Sequence, residues 1–283
     1  MSNDVKTWST PVTAQEFAAK LCVSCGGSRF APALRCDGFS FVRCADCGLT
    51  QQNPQPSEES VAARYGERHG EDYLRYELAN EAPFLRLQEL ALRDIGFGGL
   101  RPGRILDVGC ATGALLYSLK KQGWETAGVE LCGPSAEYAR NSRGIDVRTS
   151  TLERAGFPDR SFDVVHASHL IEHLNDPRSF VREAKRVLKE NGVLLISTPN
   201  IDGFQAKLFR DGWRSAIFDH LYLFSKRTLT DMLSREGFVV AKVATWGGLA
   251  AGTAPKPVKA IADRLAKRLG VGDVMMVKAL QSP

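Results

Sequence analysis

The sequence predicts an α/β fold built on a doubly wound parallel sheet, with a small metal-stapled module in front of it. Three observations predict this. Short β-rich runs alternate with helical segments from Gly103 onward. A glycine-bearing turn, ILDVGCATG at residues 105–113, closes the first of those runs. Two Cys-x-x-Cys pairs stand in the first fifty residues.

Bulk composition is compatible with such a chain and excludes others. The 283 residues are 43% hydrophobic and 24% charged, which suits one large domain with an appendage. No apolar run approaches the roughly 18 residues needed to span a bilayer. The opening MSNDVKTWSTPVTAQEF lacks the basic-then-apolar layout of a secretory signal, so a cytoplasmic location is expected. The formal net charge of +5 is mild and mostly interspersed. Its one concentration is PKPVKAIADRLAKRLG, with Lys256, Lys259, Arg264, Lys267 and Arg268. That pattern reads as the solvated face of an amphipathic helix, with contact to an anionic surface as the alternative.

Residues 21–49 read LCVSCGGSRFAPALRCDGFSFVRCADCGL. Each pair, Cys22/Cys25 and Cys44/Cys47, is followed by glycine and makes a knuckle that aims two thiolates at one cation. Eighteen residues separate Cys25 from Cys44, a zinc-ribbon spacing, and strand-like runs near 30–34 and 39–42 fill the gap. A structural disulfide needs an oxidising compartment, and a thioredoxin-type pair needs a strand-then-helix frame. Four sulfurs close the coordination shell, so one structural zinc is expected. It would fold residues 1–50 into a zinc-ribbon-like module too small for a core of its own. Cys36 is left over as a non-ligand.

Residues 51–100 are expected to form a linker and helical lid. NPQPS, residues 53–57, is a linker signal, and Ser57 is placed to cap a short helix in SEESVAARYG. Helical spacing over 72–95 is expected to be interrupted near Pro83. Residues 101–283 then carry the sheet. Strands are read at RILDV, ETAGVE, IDVRT, FDVVHAS and GVLLIST, with helices starting near Gly113, Pro134, Glu153 and Pro177. An irregular stretch runs from Asn200 to Phe224. A helix capped by Ser225, a strand FVVAKVAT, the basic helix and a last strand DVMMVKAL follow.

The turn after the first strand carries most information. A dinucleotide fingerprint laid on Gly109 meets Ala111 and Ala114, one match in three. The pattern acid-x-G-x-G-x-G meets Asp107, Gly109, Ala111 and Gly113, three in four. An acid at that strand end repels a diphosphate. It suits S-adenosylmethionine, which carries an ammonium and a sulfonium and no phosphate. Glu130, twenty-one residues past Gly109, ends the second strand where a carboxylate can accept from a ribose diol.

With these motifs in place, the chain from residue 104 to 237 resembles a class I S-adenosylmethionine-dependent methyltransferase. ILDVGCATG is similar to its first motif and VELC, with Glu130 and Leu131, to its ribose-binding motif. FPDRSFDVVHASHLIEHLNDP resembles the fourth-strand motif, and REAKRVLKENGVLLISTPN the next helix and strand. The front, CVSCGG…CADCGLTQQNPQPS, together with Trp213 and HLYLFSKRTL, resembles one bacterial branch that methylates sugars, lipids or other small metabolites. The resemblance implies a seven-stranded Rossmann-like sheet of order 3-2-1-4-5-7-6 with strand seven antiparallel. Ala111 departs from the family's usual glycine. The resemblance places adenine near Ser150, Thr151 and Leu152, and the methionine end near Ser168 and His169.

Methyl transfer to a hydroxyl gains from a general base, and histidine is the side chain that titrates near neutrality. His220 in FDHLYLF is the lead base, with His169 as a second candidate. His169, Glu172 and His173 would share one face of a helix, so they offer an alternative divalent-metal set overlaying the Glu-x-x-Glu-His run of quinone-biosynthesis O-methyltransferases. Phe157 reads as core, and Tyr65, Tyr73 and Tyr76 as packing or a lid. The expected activity is transfer of a methyl group to a small-molecule, sugar or lipid-precursor oxygen. Two alternatives stand beside it: an RNA acceptor recognised through the ribbon, and cofactor binding without turnover. Arg29, Arg35 and Arg43, partly offset by Asp37, are a thin basic surface for nucleic acid.

Overall fold

The computed structural model describes residues 17–18, 20–63, 67–249 and 255–282. The front of the chain supplies β1 (Phe17–Ala18), β2 (Phe30–Cys36), β3 (Phe39–Cys44), β4 (Thr50–Gln52) and β5 (Gln55–Pro56). β2 and β3 are an antiparallel hairpin, β3 pairs β4, and β5 pairs back onto β1. The expected linker at 53–57 is therefore corrected. Gln51, Gln52 and Gln55 are fully buried, and the segment is tied on both sides by strand pairing. Ser57 does cap α1 (Glu58–Ala63), its Oγ accepting from Ser60 N at 3.1 Å.

α2 (Glu67–Ile95) runs unbroken through Pro83, which corrects the expected interruption. Pro83 has no N–H for the carbonyl of Ala79. Ala79 is exposed, so water can take that carbonyl and the helix continues. Then come β6 (Arg104–Val108), α3 (Ala114–Lys121), β7 (Glu125–Glu130), α4 (Gly133–Arg143), β8 (Asp146–Thr149) and β9 (Phe162–Ser168). The helix expected near Glu153 is a single 3-10 turn at Leu152–Arg154. Gly156, at φ 69°, and Pro158 just beyond it leave no room for a second turn.

The chain continues with α5 (Pro177–Val187), β10 (Leu188–Pro199), α6 (Phe204–Phe209), β11 (Tyr222–Leu223), α7 (Lys226–Arg235), β12 (Phe238–Trp246), α8 (Lys256–Leu269) and β13 (Val274–Gln281). The large sheet has the order β12-β13-β10-β9-β6-β7-β8, with β13 antiparallel to both neighbours. Counting its strands along the chain, this is the order 3-2-1-4-5-7-6. Alternate residues of the central strands feed two cores. Ile105, Val164 and Leu195 pack under α2, α3 and α4. Leu106, Val165, Leu194 and Ile196 pack under α5 and α7. Cys22, Cys44, Cys47 and Leu49 of the front module belong to that second core, alongside Leu221, Tyr222 and Phe224.

The link is made by β11. It adds to β4, giving a four-stranded sheet β11-β4-β3-β2 whose first strand comes from the far end of the chain. The residue immediately before Leu221 and this strand is His220.

Candidate functional site

β6, β7 and β9 end side by side, and their carboxyl ends carry the acidic turn. Gly109, Ala111 and Gly113 all have positive φ, at 75°, 47° and 72°. Ala111 is the exception by chemistry, since a Cβ in this region costs about 1–2 kcal/mol. The turn's N–H groups are spent inside the protein. Gly109 N and Cys110 N donate to Val129 O at 2.8 and 3.1 Å, and Gly113 N donates to Cys110 O at 2.8 Å. Ala111 N donates to Glu130 Oε2 at 2.9 Å. A phosphate cradle needs such donors free; here they are used.

Carboxylates surround the turn instead. Asp107 is buried, and its Oδ1 accepts from His166 Nδ1 at 2.7 Å. β6 and β9 set the two residues opposite one another in register. Glu130 is buried, with Oε1 accepting from Cys132 N at 2.8 Å. Burial pushes its carboxyl up to about 7, against the two backbone N–H bonds, and the nearby Glu77 of α2 adds to the rise. Glu77 is itself raised by burial, while a hydrogen bond from Tyr73 opposes the shift. α2 covers this end of the sheet. Arg143 Nη1 donates to Thr112 O at 2.6 Å, Arg143 Nη2 meets Glu81 at 2.5 Å, and Thr112 Oγ1 donates to Glu81 at 2.9 Å. Leu131 is partly exposed and Leu152 is buried. Thr151 is exposed after β8. Tyr76 is exposed, Phe157 is core as expected, and Tyr65 lies outside the described residues.

A second cluster lies past β9 and β10. Ser168 and Ser197 share a 2.8 Å hydroxyl contact, and His169 N donates to Ser197 O at 2.9 Å with φ at 52°. Residues 171–173 form a 3-10 turn, which corrects the expected helix face for His169, Glu172 and His173. Glu172 is the buried hub. Thr198 Oγ1 donates to its Oε2 at 2.9 Å, and His169 Nδ1 stands 3.3 Å from Oε1. Burial opposes ionisation of Glu172, yet His169, with His173 and His220 behind it, holds the carboxyl down to about 2.

His220 joins this hub from the other end of the sequence. Its Nδ1 donates to Ser215 O at 2.8 Å, as His173 Nδ1 does to Asp219 O at 2.9 Å. Those bonds fix both tautomers and leave each Nε2 with its lone pair. The two rings meet edge to face at 4.7 Å. Burial brings His220 down to about 4, helped by His173 and opposed by Glu172. One ligand atom each from Glu172, His173 and His220 lies within 4.8 Å of the others, a set able to take a proton or a divalent cation. His169 stays half exposed at the rim and outside that trio.

The cysteine cluster sits behind this hub. Cys22 Sγ is 3.4 Å from Cys47 Sγ, Cys25 Sγ is 3.6 Å from Cys44 Sγ, and all four sulfurs lie within 4.8 Å. Tetrahedral zinc with bonds of about 2.3 Å spaces its sulfurs by about 3.8 Å, so the donor set fits. The two knuckles are copies: Gly26 N donates to Cys22 O at 2.7 Å and Gly48 N to Cys44 O at 2.9 Å, with φ of 74° and 80°. Burial opposes ionisation at Cys44, but N–H groups of Cys47 and Asp46 bring it down to about 7. Cys36 stands apart, donating to Ala216 O at 3.6 Å. From the cluster, Arg227 Nη2 donates to Cys47 O at 2.9 Å, Gln52 N to Leu221 O at 2.8 Å, and Leu221 N to Glu172 O at 2.7 Å. The module thus holds the backbone between His220 and Glu172.

Sequence reasoning missed His166, Glu81, Arg143 and the bond from Leu221 to Glu172. His166 had a signal: sheet order 1-4 puts the fourth strand beside the first, and register then faces His166 to Asp107.

Comparison with known proteins agrees with this geometry. The methyltransferase-domain family matches residues 74–243, more than half of the chain. A ubiquinone biosynthesis O-methyltransferase of Klebsiella pneumoniae is 31% identical over 151 residues, 51% of this chain and 60% of the relative. One from Actinobacillus pleuropneumoniae is 33% identical over 112 residues, 36% of this chain and 48% of the relative. The chain thus spans about half the length of these curated relatives. A methyltransferase structure from Thermotoga maritima shares the fold with a TM-score of 0.59 at 24% identity, covering 77% of this chain and 99% of that one. Another, from Archaeoglobus fulgidus, gives 0.52 at 21%, covering 73% and 99%.

Proposed function

This chain belongs to the methyltransferase-domain family, and from that premise we propose that it transfers the methyl group of S-adenosylmethionine to an oxygen of a small-molecule acceptor. The observation that carries the reading is the first turn. Its N–H groups at 109, 110, 111 and 113 are satisfied internally, while Asp107, Glu130 and Glu77 gather negative charge around it. That site favours a cationic nucleoside over a diphosphate. The O-methyltransferase names of the curated relatives support oxygen as the acceptor atom.

S-adenosylmethionine, when bound, supplies a methyl group already activated on sulfur. Gly109, Ala111 and Gly113 give it a close backbone, with Asp107 braced beneath by His166. Glu130 and Leu131 take the ribose, Thr151 and Leu152 the adenine side, and Ser168 and His169 the methionine end. Alignment of acceptor and donor contributes about 7–11 kcal/mol of barrier reduction in reactions of this kind. His220 accepts the acceptor's proton at Nε2, and the Glu172 carboxylate offsets the imidazolium charge that forms. His169, more exposed, orients rather than deprotonates.

Cys22, Cys25, Cys44 and Cys47 would hold one zinc ion, and four thiolate donors would make it a scaffold rather than a reaction centre. Its task is to keep β4, β11 and hence His220 in place. An RNA acceptor finds less support, because β11 covers the β4 edge of the module's sheet and Arg29 is paired with Asp46.

Calorimetric titration with S-adenosylhomocysteine, metal analysis, and labelled-methyl transfer into lipid and nucleotide-sugar extracts test the reading. One nucleoside site, one zinc and label in an extract fraction are expected. A protein that ignores S-adenosylhomocysteine but binds NAD overturns it, and binding with no labelled acceptor in any fraction, RNA included, leaves only the non-catalytic alternative.

A further inference from the structure

α8 reverses the usual arrangement of an amphipathic helix. Its large aliphatic residues, Val258, Ile261, Leu265 and Leu269, recur at spacings of three, four and four and form one stripe. None is buried: they are 51%, 58%, 52% and 68% exposed, and Ala266 is the helix's only buried residue. The rotation is fixed from behind. Asp263 accepts from Gly248 N at 2.8 Å and pairs with Lys259 at 2.6 Å, while Lys267 reaches Asp94 at 2.6 Å. Those contacts hold the opposite face against the domain and leave the stripe in water.

The charges beside the stripe are of one sign. Arg264 and Arg268 flank it, are exposed and make no ion pair among the described residues; Lys256 lies on the far face, and the helix's one acid, Asp263, is already engaged. α6 begins beside the turn that ends α8, with Phe204 N donating to Val271 O at 2.8 Å. It adds exposed Phe204, Leu208 and Phe209, with Lys207 and Arg210 next to them.

We propose that α8, with α6 at its end, is a docking surface for an anionic lipid bilayer, lying in the headgroup plane with the stripe among the acyl chains. Four large aliphatic residues in one row, each more than half exposed, are not the singly scattered apolar residues of an ordinary surface. A bilayer satisfies both of its halves, taking Val258, Ile261, Leu265 and Leu269 below and the cations at headgroup level. A second copy of the chain covers the stripe but offers Arg264 and Arg268 no counter-charge from α8, whose one acid, Asp263, is held by Lys259 and Gly248 N. Nucleic acid would meet the cations and leave the aliphatic residues in water. This surface goes beyond the reaction proposed above, and it holds whatever acceptor is methylated.

The test is co-sedimentation of the full chain with vesicles of equimolar phosphatidylglycerol and phosphatidylcholine, with sedimentation velocity alongside. Binding is expected at low salt, about tenfold weaker to phosphatidylcholine alone and about tenfold weaker for the I261D/L265D variant. R264A/R268A should lose most of the salt dependence. S-adenosylhomocysteine affinity, unchanged in each variant, reports an intact fold and separates failure here from failure of the methyltransferase reading. The proposal is overturned if the parent ignores anionic vesicles, if I261D/L265D pellets like the parent, or if the parent is a dimer that I261D/L265D splits.

Discussion

The cysteine cluster and the histidine hub are built from comparable materials by opposite routes. Cys22, Cys25, Cys44 and Cys47 come from two local knuckles of one hairpin, each closed by the same glycine turn. Glu172, His173 and His220 come from a 3-10 turn and a distant insert, and meet only because the sheets place them together. The first cluster can form once a metal arrives. The second forms only when the rest of the fold has, and part of that rest is the first cluster. β4 and β11 join the two, so a site that looks like an appendage braces the one expected to do the chemistry.

The harshest way to break that relation is Cys44→Ser. Structural zinc is worth on the order of 10–16 kcal/mol, which matches or exceeds a domain's whole stability of about 5–15 kcal/mol. The variant should lose its metal, unfold β2–β4, and drop methyl transfer by more than about 100-fold. Metal content and thermal unfolding check it. Retention of zinc and of the parent melting temperature would show that the module is not metal-built.

His220→Gln probes the other partner. Turnover should fall by about 10²–10⁴-fold with nucleoside affinity unchanged, read from kcat and a binding titration. The same variant should change acid stability. His220 titrates near 4 in the fold against about 6.5 unfolded, so the unfolded chain takes the proton first as pH falls. Its contribution is whole above 6.5 and fades towards 4, about 2 kcal/mol lost by pH 5. Denaturant unfolding of His220→Gln should lack that decline.

Glu130→Gln sharpens the comparison at the cofactor turn. One of the two backbone N–H groups on Glu130 would face an amide NH₂, costing about 1–3 kcal/mol, or roughly 10–100-fold in nucleoside affinity. With Glu130 near 7, the parent's affinity should weaken as pH falls below 7, and the variant's should not. Its effect on stability has the opposite sign to that of His220: the fold keeps the proton up to about 7, so stability declines as pH rises from 4.5 to 7. Calorimetry at pH 6 and 8 gives the first result, and urea midpoints give the second.

The gentlest change is Ala111→Gly. Relief of a left-handed alanine, less the extra unfolded freedom of glycine, should add about 0.5–1 kcal/mol, a rise of about 2 °C in Tm. A lower Tm would show that the methyl group packs usefully.

Much of this was legible in residues and spacing. The two knuckles, the acidic turn, Glu130 and the caps at Ser57 and Ser225 each depend on neighbours a few positions away, and each stands where it was read. What was not legible depends on distance. His166 becomes Asp107's partner through strand order, which no run of residues states. His220 replaces His169 in the trio because residues 171–173 wind as 3-10 and not as α-helix. Residues 53–57 carried every mark of a linker, yet Gln55 and Pro56 are buried and pair back onto β1, while β4 just before them is completed by a strand 170 residues later. α8 was read as amphipathic with its basic face in water, but its aliphatic residues are exposed as well, since periodicity tells which residues share a side and not which side meets the domain.

The bracing of His220 by the cysteine module is tested most directly by hydrogen exchange at two amides, Gln52 N and Leu221 N. They are bonded to Leu221 O and Glu172 O, and can be followed in zinc-loaded protein and after chelation. Loss of metal should raise exchange at both by orders of magnitude while the amides of β6 and β9 stay protected. Protection of Leu221 that survives removal of the metal would contradict the coupling and return the module to the status of an independent appendage.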